Sequence, residues 1–455
     1  MDFTLGSPTV QLPMEQELKD ALHIIARKPF LISGVMQHYA WGRTFENSIL
    51  PALIGETAPL AGIPKHYAEL WYGAHPKGPS PILAPLLAPL LAHLPGSSGM
   101  AQVTLLDAVV QLPKALLGEN VHQRYSELPF LFKVLSVGRA LSIQAHPDSA
   151  LAKDLHTKDP VHYPDDRHKP EIGVALSPVS LLYGFCPLGK TLDSLSRYKP
   201  LEQFFGKEAL AEARASLIDS GLTDSNGSQS SLASSKRREL FARCFSAPRE
   251  EVETCCTELL AIFSSLETRS EAEDWFLRLA KDFPLTDVGL LGVFFLNLVT
   301  LAPEEAVFIG PNIPHAYLEG ELIECMANSD NVVRAGLTEK FCDVSTLLSM
   351  LSFDEQRARR VTPVSTHGIN WYRSAAEEFS LGTIKGPQKD IVLPAGVPSL
   401  CVVIEGSATL EVQGVRTVLK RGQASFIAAE AEKLTLSLEN GFVAIATCPG
   451  RAPCP

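Results

Sequence analysis

The chain has 455 residues, of which 45% are hydrophobic and 20% are charged, and its formal net charge is −11. This length and composition are typical of a folded protein of two or three domains, and the acidic balance argues against nucleic acid as a partner, because nucleic-acid binding needs a basic surface. A small anionic ligand is not excluded, since a local cluster of Lys and Arg can outweigh the global charge. The nine cysteines include no C-x-x-C pair, which indicates reduced thiols and a cytoplasmic location.

The N-terminal segment, residues 1–28, lacks the basic stretch followed by an apolar one that marks a signal peptide. Two apolar runs, at 81–96 and 288–302, are shorter than the roughly 20 residues of a transmembrane helix. We therefore expect both runs to be buried core, and no contact with a membrane.

Residues 29–188 contain short apolar runs separated by Gly, Pro and Asp, a pattern typical of β-strands. Within them, residues 142–148 read SIQAHPD, with Gln144 and His146 two apart in a predicted strand. Side chains at positions i and i+2 of a strand share a face, so these two and Ser142 point the same way. They either hydrogen-bond internally or line a pocket, and the local sequence leaves both open.

Residues 189–300 have apolar residues three and four apart, which predicts helices. Between two such stretches lies the Ser-rich segment 223–238, TDSNGSQSSLASSKRR, whose low complexity predicts a mobile loop. A catalytic lid is the alternative interpretation of that segment.

Strands are predicted again over residues 301–360, and the alternating pattern after residue 361 has turn glycines at 406, 414 and 422. Short strands at a spacing of about 8–12 residues are typical of a sandwich or barrel. No histidine follows His367, so the C-terminal region cannot supply an imidazole to a metal ion.

Two further residues extend the candidate set for a metal site. Glu171 ends the segment YPDDRHKPE at 163–171, and His315 stands in GPNIPHAYLEG. With Gln144 and His146 they offer two imidazoles, one carboxylate and one amide, and a mixed set of N and O donors suits Zn²⁺. Each residue also has an ordinary structural explanation, because a lone His in a β pattern is more often hydrogen-bonded than a ligand.

Three ordered motifs carry a family resemblance: SIQAHPD, YPDDRHKPE and, at 314–340, PHAYLEGELIECMANSDNVVRAGLTEK. Together they resemble type I phosphomannose isomerases, and YAWG at 39–42 and AELWYGAHPKGPS at 68–80 match N-terminal segments of that family. The likeness extends from about residue 30 to about residue 350. It implies a mainly β fold with a helical insertion, in which two cupin β-barrels are joined by an α-helical domain.

The domain boundaries that we expect from this resemblance divide the chain into an N-terminal segment, a catalytic cupin domain in two parts, an inserted helical domain and a metal-free C-terminal cupin domain. Their ranges are 1–28, 29–188 and 301–360, 189–300, and 361–455.

The resemblance also implies an activity. It is that of a zinc-dependent aldose–ketose isomerase, which interconverts mannose 6-phosphate and fructose 6-phosphate through an enediol. Such an enzyme supplies mannose for GDP-mannose synthesis and glycosylation, or feeds mannose into glycolysis. One Zn²⁺ per chain would be held by Gln144, His146, Glu171 and His315, which would explain why the first two share a strand face.

Five residues match positions of the family's catalytic machinery. Arg334 would stabilise the oxyanion or position the substrate, although a structural salt bridge with Asp330 is the alternative. Glu324 is favoured as the base, because burial in an apolar strand would raise its pKa. His168 and Lys169, beside Glu171, could transfer protons or polarise O1 or O2, and Asp330 could assist ring opening.

The substrate contacts implied by the resemblance are less specific. Ser142, Lys133 and Lys340 are candidates for the phosphate, since a Lys is an adequate point-charge partner for it. Trp41 and Tyr317 could form walls of the sugar site, although core packing alone would also explain Trp41.

Three positions depart from the family pattern. Arg167 stands where Asn is usual, Glu339 where Pro is usual, and Glu304 where Gly is common. None of them is a predicted ligand, so we expect activity to be retained. The alternative functions are a non-catalytic sugar-phosphate-binding cupin and an iron-dependent cupin oxygenase; Gln144 in place of a third His favours redox-inert zinc over iron. We expect a sugar phosphate as the partner, and a monomer is favoured over an oligomer.

Overall fold

The protein is described here from a computed structural model, which covers residues 8–59, 66–87, 102–219 and 231–449. Within these ranges the fold is mainly β, with two antiparallel sheets and a group of consecutive helices. None of the described helices combines the length and the apolar character that crossing a membrane requires.

The first sheet contains the strands between residues 35 and 361, apart from one. They are β2 (Val35–Gln37), β3 (Glu69–Tyr72), β5 (Phe130–Val137), β6 (Ile143–Ala145), β7 (Glu171–Ala175), β8 (Val179–Phe185), β9 (Leu296–Leu301), β10 (Ala306–Ile309), β11 (His315–Ala327), β12 (Val333–Gly336) and β13 (Arg360–Val361). Their order is β13-β10-β7-β11-β5-β3-β2. The long strand β11 also pairs with β6 and β8 at its N-terminal end, and so brings β12 and β9 into the same sheet.

The second sheet contains the C-terminal strands together with two short strands from the N-terminal part. They are β1 (Phe30–Ile32), β4 (Ile82–Leu83), β14 (Val364–Thr366), β15 (Ile369–Tyr372), β16 (Ser380–Lys385), β17 (Gln388–Val392), β18 (Ser399–Val412), β19 (Val415–Lys420), β20 (Ala424–Ile427) and β21 (Thr435–Thr447). β1 pairs with β20, Phe30 opposite Phe426. β1 and β4 therefore belong to the sheet of the C-terminal strands, although both precede the predicted boundary at residue 361.

The two sheets share one apolar core. It includes Phe132 of β5 and Phe426 of β20, and the Tyr72 hydroxyl donates to the carbonyl of Gly422 at 2.9 Å. Burial of side chains from both sheets in one cluster stabilises them against each other.

Helices fill the interval between β8 and β9, as the periodicity predicts. They are Leu188–Arg197, Lys199–Phe205, Lys207–Asp219, Ser231–Ser246, Arg249–Ser265 and Glu271–Asp282. Other described α-helices are Pro8–Ala26, Leu50–Leu53, Leu105–Gln111, Pro113–Leu117, Glu119–Tyr125, Ser149–Lys158 and Val344–Met350, and 3-10 turns cover Phe45–Asn47, Pro85–Leu87 and Val288–Phe294.

The loop predicted over residues 223–238 is wrong for its second half. Residues 223–230 lie outside the described part of the chain, whereas 231–238 form the first turns of the helix Ser231–Ser246. Ala233, Arg237 and Leu240 of this helix are buried, and Arg237 donates to the carbonyl of Phe353. The high serine content hid the fact that the buried residues are three and four positions apart, as on one face of a helix. Packing of that face against the rest of the protein stabilises the helix.

The apolar run 288–302 is largely core, as predicted, with Leu290, Leu291 and Phe295 fully buried. The run 81–96 can be followed only to residue 87; there Ile82 and Leu87 are buried, whereas Leu83 is 47% exposed. Its remaining residues lie outside the described ranges.

Glu304, at one of the departures from the family pattern, lies in the turn between β9 and β10 with φ of 71°. This left-handed conformation favours glycine, which explains why Gly would suit the position. The Glu304 side chain forms an ion pair with Lys385 across to the second sheet.

Candidate metal centre and active site

One face of the first sheet carries a row of polar and aromatic side chains. Along β3, β5, β11 and β7, paired residues place Trp71, Lys133, Glu324 and Gly173 side by side. Glu171 is two residues before Gly173 on β7 and therefore lies on the same face. Register between distant strands thus brings together groups that are far apart in the sequence.

Beside this row, His146, Glu171 and His315 form a buried group. Their potential ligand atoms all lie within 4.8 Å of one another. Nε2 of His146 is 3.4 Å from Oε1 of Glu171, and Nε2 of His315 is 3.5 Å from Oε2 of the same carboxylate. Three of the four predicted ligands therefore converge, and all three are at least 98% buried.

Both histidine rings are oriented by backbone carbonyls. Nδ1 of His146 donates to the carbonyl of Asn331 at 2.8 Å, and Nδ1 of His315 donates to that of Ile313 at 2.9 Å. A carbonyl can only accept, so in each neutral ring the proton is on Nδ1 and Nε2 carries a lone pair. The two Nε2 atoms are buried without a hydrogen-bond partner in the described part of the chain. Lone pairs aimed at one carboxylate fit a bound cation.

The charge states also suit a cation. Burial lowers the pKa of His146 to about 4, so the ring is neutral at pH 7. Burial alone would raise the pKa of Glu171, but the ammonium of Lys169, 2.9 Å from Oε1, holds it well below its ordinary value. Glu171 is therefore ionised, and Lys169 lies directly beside it.

Gln144, the predicted amide ligand, lies on β6 between β11 and β12. It is opposite His315 on one side and Arg334 on the other. The Ser142 hydroxyl donates to Oε1 of Gln144 at 3.4 Å. The pairing of three short segments thus places these predicted site residues next to one another.

Glu324 and Lys133 form a buried ion pair, with Nζ 3.3 Å from Oε2. Glu69, whose carboxylate accepts from the Trp71 indole N–H, lies 3.6 Å from the same Nζ. Burial raises the pKa of Glu324 to about 7 although Lys133 opposes it. Burial alone would lower the pKa of Lys133, but the two carboxylates raise it. Sequence reasoning missed Glu69; its position two residues before Trp71 in a predicted strand was the available signal.

Tyr317 reaches into the same region from the N-terminal end of β11. Its hydroxyl is buried without a hydrogen-bond partner among the described residues, and burial raises its pKa well above the ordinary value. A Cβ at position 173 would lie 2.6 Å from this hydroxyl oxygen, so only a glycine leaves room for it. Trp41 packs in the apolar cluster that contains Tyr317.

Asp330 pairs with residues that the sequence analysis did not single out. Its carboxylate oxygens lie 3.5 Å from Nε2 of His75 and 2.8 Å from Nζ of Lys77. Burial alone would raise the pKa of Asp330, but these two groups hold it well below the ordinary value. Within the described ranges Arg334 does not form the alternative salt bridge with Asp330.

His168 and Arg167 contact carboxylates that lie outside this group. Nε2 of His168 lies 2.8 Å from Oε1 of Glu378, and this hydrogen bond raises the pKa of His168. Arg167 forms an ion pair with Glu127, so its charge is largely compensated. Lys340 is exposed at the end of the segment that follows β12.

Two side chains that hold the site loops, those of Asn331 and Asp287, were missed by sequence reasoning. Asn331 donates to the carbonyls of Asp165 and Arg167 at 2.7 and 2.9 Å, while its own carbonyl holds His146. Asp287 accepts from the backbone N–H groups of residues 289, 337 and 338. These contacts join segments distant in sequence, and no local pattern indicates them.

Comparison with known proteins gives consistent results. Residues 30–188 match the family profile for the phosphomannose isomerase type I catalytic domain. The chain is 35% identical over 442 residues to a mannose-6-phosphate isomerase from Bos taurus, which covers 93% of this chain and 99% of the bovine protein.

Solved structures agree with the sequence relatives. A glutamate-to-alanine mutant of phosphomannose isomerase from Salmonella typhimurium superimposes with a TM-score of 0.77 at 28% identity, covering 93% of this chain and 100% of that one. A mannose 6-phosphate isomerase bound with zinc and yttrium gives a TM-score of 0.76 at 28% identity, with coverage of 93% and 100%. The likeness therefore extends over nearly the whole chain.

Proposed function

The chain belongs to the type I phosphomannose isomerase family and is an aldose–ketose isomerase; from that premise we propose that it interconverts mannose 6-phosphate and fructose 6-phosphate with one zinc ion per chain. The observation that carries the proposal is the convergence of His146, Glu171 and His315, with two lone pairs directed at one buried carboxylate. A sensor of sugar phosphates would not need this donor set next to a buried carboxylate with a raised pKa.

We assign His146, Glu171, His315 and Gln144 as the zinc ligands. The first three offer two imidazoles and an ionised carboxylate, a donor set typical of Zn²⁺. Gln144 supplies an amide oxygen from the strand between His315 and Arg334. When bound, zinc polarises the oxygens of the substrate and favours charge developing on them.

Glu324 is the residue that we assign to proton transfer between C1 and C2. A C–H bond beside a carbonyl is a weak acid, so the reaction needs a base whose pKa lies near the operating pH. Burial raises the pKa of Glu324 to about 7, so both its protonation states are accessible at neutral pH. As a carboxylate it takes the proton from one carbon, and as the acid it returns the proton to the neighbouring carbon.

Two cations supplement this base. Arg334, next to Gln144 across the β6–β12 pair, is assigned to the developing oxyanion. Lys169 holds Glu171 ionised and is available to the O1 or O2 side of the substrate. Asp330, kept ionised by His75 and Lys77, is assigned to assist ring opening.

For the phosphate we favour Ser142 and Lys340. Lys340 is exposed and forms no ion pair with the described residues. Lys133 also remains a phosphate candidate, but Glu69 and Glu324 already engage its ammonium, and this favours a role in tuning Glu324. Trp41 and Tyr317 are assigned to the walls of the sugar site.

The domain organisation, the cellular location and the metabolic role are proposed from the same family membership. Two cupin barrels are proposed, the catalytic one from 29–188 and 301–360 and the C-terminal one from 361–455, with the helical domain 189–300 inserted, although β1 and β4 pair within the sheet of the C-terminal strands. The enzyme is proposed to be a cytoplasmic monomer that supplies mannose for GDP-mannose synthesis and glycosylation or feeds mannose into glycolysis.

A coupled assay tests the proposal directly. Conversion of mannose 6-phosphate to fructose 6-phosphate is followed for protein as purified, after chelation, and after zinc is returned. We expect activity to disappear on chelation and to return with zinc. Protein that binds zinc and mannose 6-phosphate without turning the sugar over would instead be a sensor, and the proposal would be wrong.

A further inference from the structure

One of the contacts between the C-terminal part of the chain and the catalytic part is made by a partly buried carboxylate. Glu378, in the segment before β16, accepts a hydrogen bond of 2.8 Å from Nε2 of His168. The Glu378 side chain is 12% exposed and the His168 side chain is 30% exposed. The backbone N–H of Glu377 donates to the other carboxylate oxygen of Glu378 at 3.0 Å, which fixes the acceptor.

His168 and Glu378 lie at the edge of one cavity. Its volume is about 250 Å³, and its other walls include Tyr125, Lys153 and Asn328. Since a charge-assisted hydrogen bond is stronger than a neutral one, Glu378 sets the orientation of this ring.

The segment that His168 anchors leads directly to the metal centre. The next residue, Lys169, has its ammonium 2.9 Å from the carboxylate of Glu171. The preceding residue, Arg167, has a carbonyl that accepts from Asn331, and the Asn331 carbonyl orients His146. A shift of residues 167–169 would therefore move groups that contact or orient two proposed zinc ligands, Glu171 and His146.

We propose that Glu378 is a positioning residue for the isomerase reaction, which acts through His168 on Lys169 and the carboxylate of Glu171. The C-terminal region would then contribute to catalysis without contacting the substrate. His168 is a positioning residue in this scheme, rather than a group that transfers protons. The inference rests on the proposed function, because its readout is the isomerase rate.

The chain offers a matched control. Glu377 is adjacent, has the same side chain, and forms an exposed ion pair with Arg124. Exposed pairs of this kind contribute little to stability. Glu377→Ala thus removes a contact near the same cavity but leaves the hydrogen bond between His168 and Glu378 and the backbone donor in place.

The test compares kcat, KM, bound zinc per chain and Tm for wild type, Glu378→Ala, Glu378→Gln and Glu377→Ala. For Glu378→Ala we expect kcat to fall about tenfold, since outer partners of metal-site residues typically affect activity by about 10–100-fold, with KM changed by less than about twofold and zinc content unchanged. The glutamine side chain of Glu378→Gln can still accept a hydrogen bond from His168, so the kcat of this variant should fall by less. Glu377→Ala should match wild type.

Two results would overturn the inference. One is a Glu378→Ala variant with wild-type kcat. The other is equal loss of Tm and activity in Glu378→Ala and Glu377→Ala, which would mean that the contact only holds two parts of the fold together. Zinc-loaded wild-type protein without turnover would instead remove the proposed function, and the inference with it.

Discussion

The Nζ atom of Lys133 lies 3.3 Å from Oε2 of Glu324, and both side chains are more than 90% buried on one face of the first sheet. Burial favours the neutral acid and the ammonium favours the carboxylate, and the balance raises the pKa of Glu324 to about 7. A carboxyl group poised in this way can both accept and return a proton at neutral pH.

The first prediction concerns Glu324 itself. Glu324→Gln removes the proposed base, and we expect kcat to fall by about 10²–10⁴-fold with zinc content unchanged. Steady-state kinetics and metal analysis measure both quantities. Glu319→Gln, on the same strand with a side chain 41% exposed, is the control and should retain activity. A Glu324→Gln enzyme with wild-type kcat would assign the proton transfer to another residue.

The second prediction concerns the pH dependence. Because the ionised form of Glu324 is the base, kcat/KM should rise as the pH increases through about 7, where this carboxyl loses its proton. Removing the ammonium by Lys133→Met takes away a charge that lowers the pKa of Glu324, so the rise should move to higher pH. A pH–rate profile of both proteins measures the shift; a shift to lower pH would contradict the assignment.

The third prediction concerns zinc binding. His146→Ala removes a ligand, and we expect the purified variant to retain little zinc and no measurable isomerase activity. His162→Ala, which alters an exposed histidine paired with Asp159, should bind zinc like wild type. Inductively coupled plasma analysis measures the zinc bound by each of the two proteins and so tests the prediction. Full zinc occupancy in His146→Ala would place the metal elsewhere.

The fourth prediction concerns the loop that orients His146. Asn331→Ala keeps the carbonyl that accepts from His146 but loses the bonds from its side chain to the carbonyls of Asp165 and Arg167. We expect zinc affinity to weaken by about 10–100-fold, as is typical for outer partners of metal ligands. Competition with a chromogenic chelator measures it, with Asn370→Ala on β15 as the control. Equal affinities would show that the loop is held without this side chain.

The fifth prediction concerns Gly173. A Cβ there would lie 2.6 Å from the Tyr317 hydroxyl oxygen and 3.0 Å from a Leu322 methyl carbon. We expect Gly173→Ala to displace Tyr317, to destabilise the protein by about 1–3 kcal/mol as overpacking does, and to lower kcat/KM. The double variant Gly173→Ala/Tyr317→Phe removes the closest atom, and should recover part of the lost Tm. Purely additive effects would show that the two residues are not coupled.

Much of the secondary structure could be predicted from local pattern. The strand Phe130–Val137, the helix Arg249–Ser265 and the C-terminal strands with turns at Gly414 and Gly422 all follow from periodicity and turn residues. Local pattern failed at residues 231–238, where the Ser-rich composition hid the buried spacing of Ala233, Arg237 and Leu240.

Family motifs in the sequence were sufficient to name the metal candidates His146, Glu171 and His315, because imidazole and carboxylate groups are the donors that zinc binds. Only the tertiary structure decided that their donor atoms meet within 4.8 Å, since strand register over more than 160 residues sets that distance. It also decided that Asp330 pairs with His75 and Lys77, and that His168 is held by Glu378. Long-range pairing has no local signature, because each partner's own neighbours in the chain are the same whether or not the contact forms.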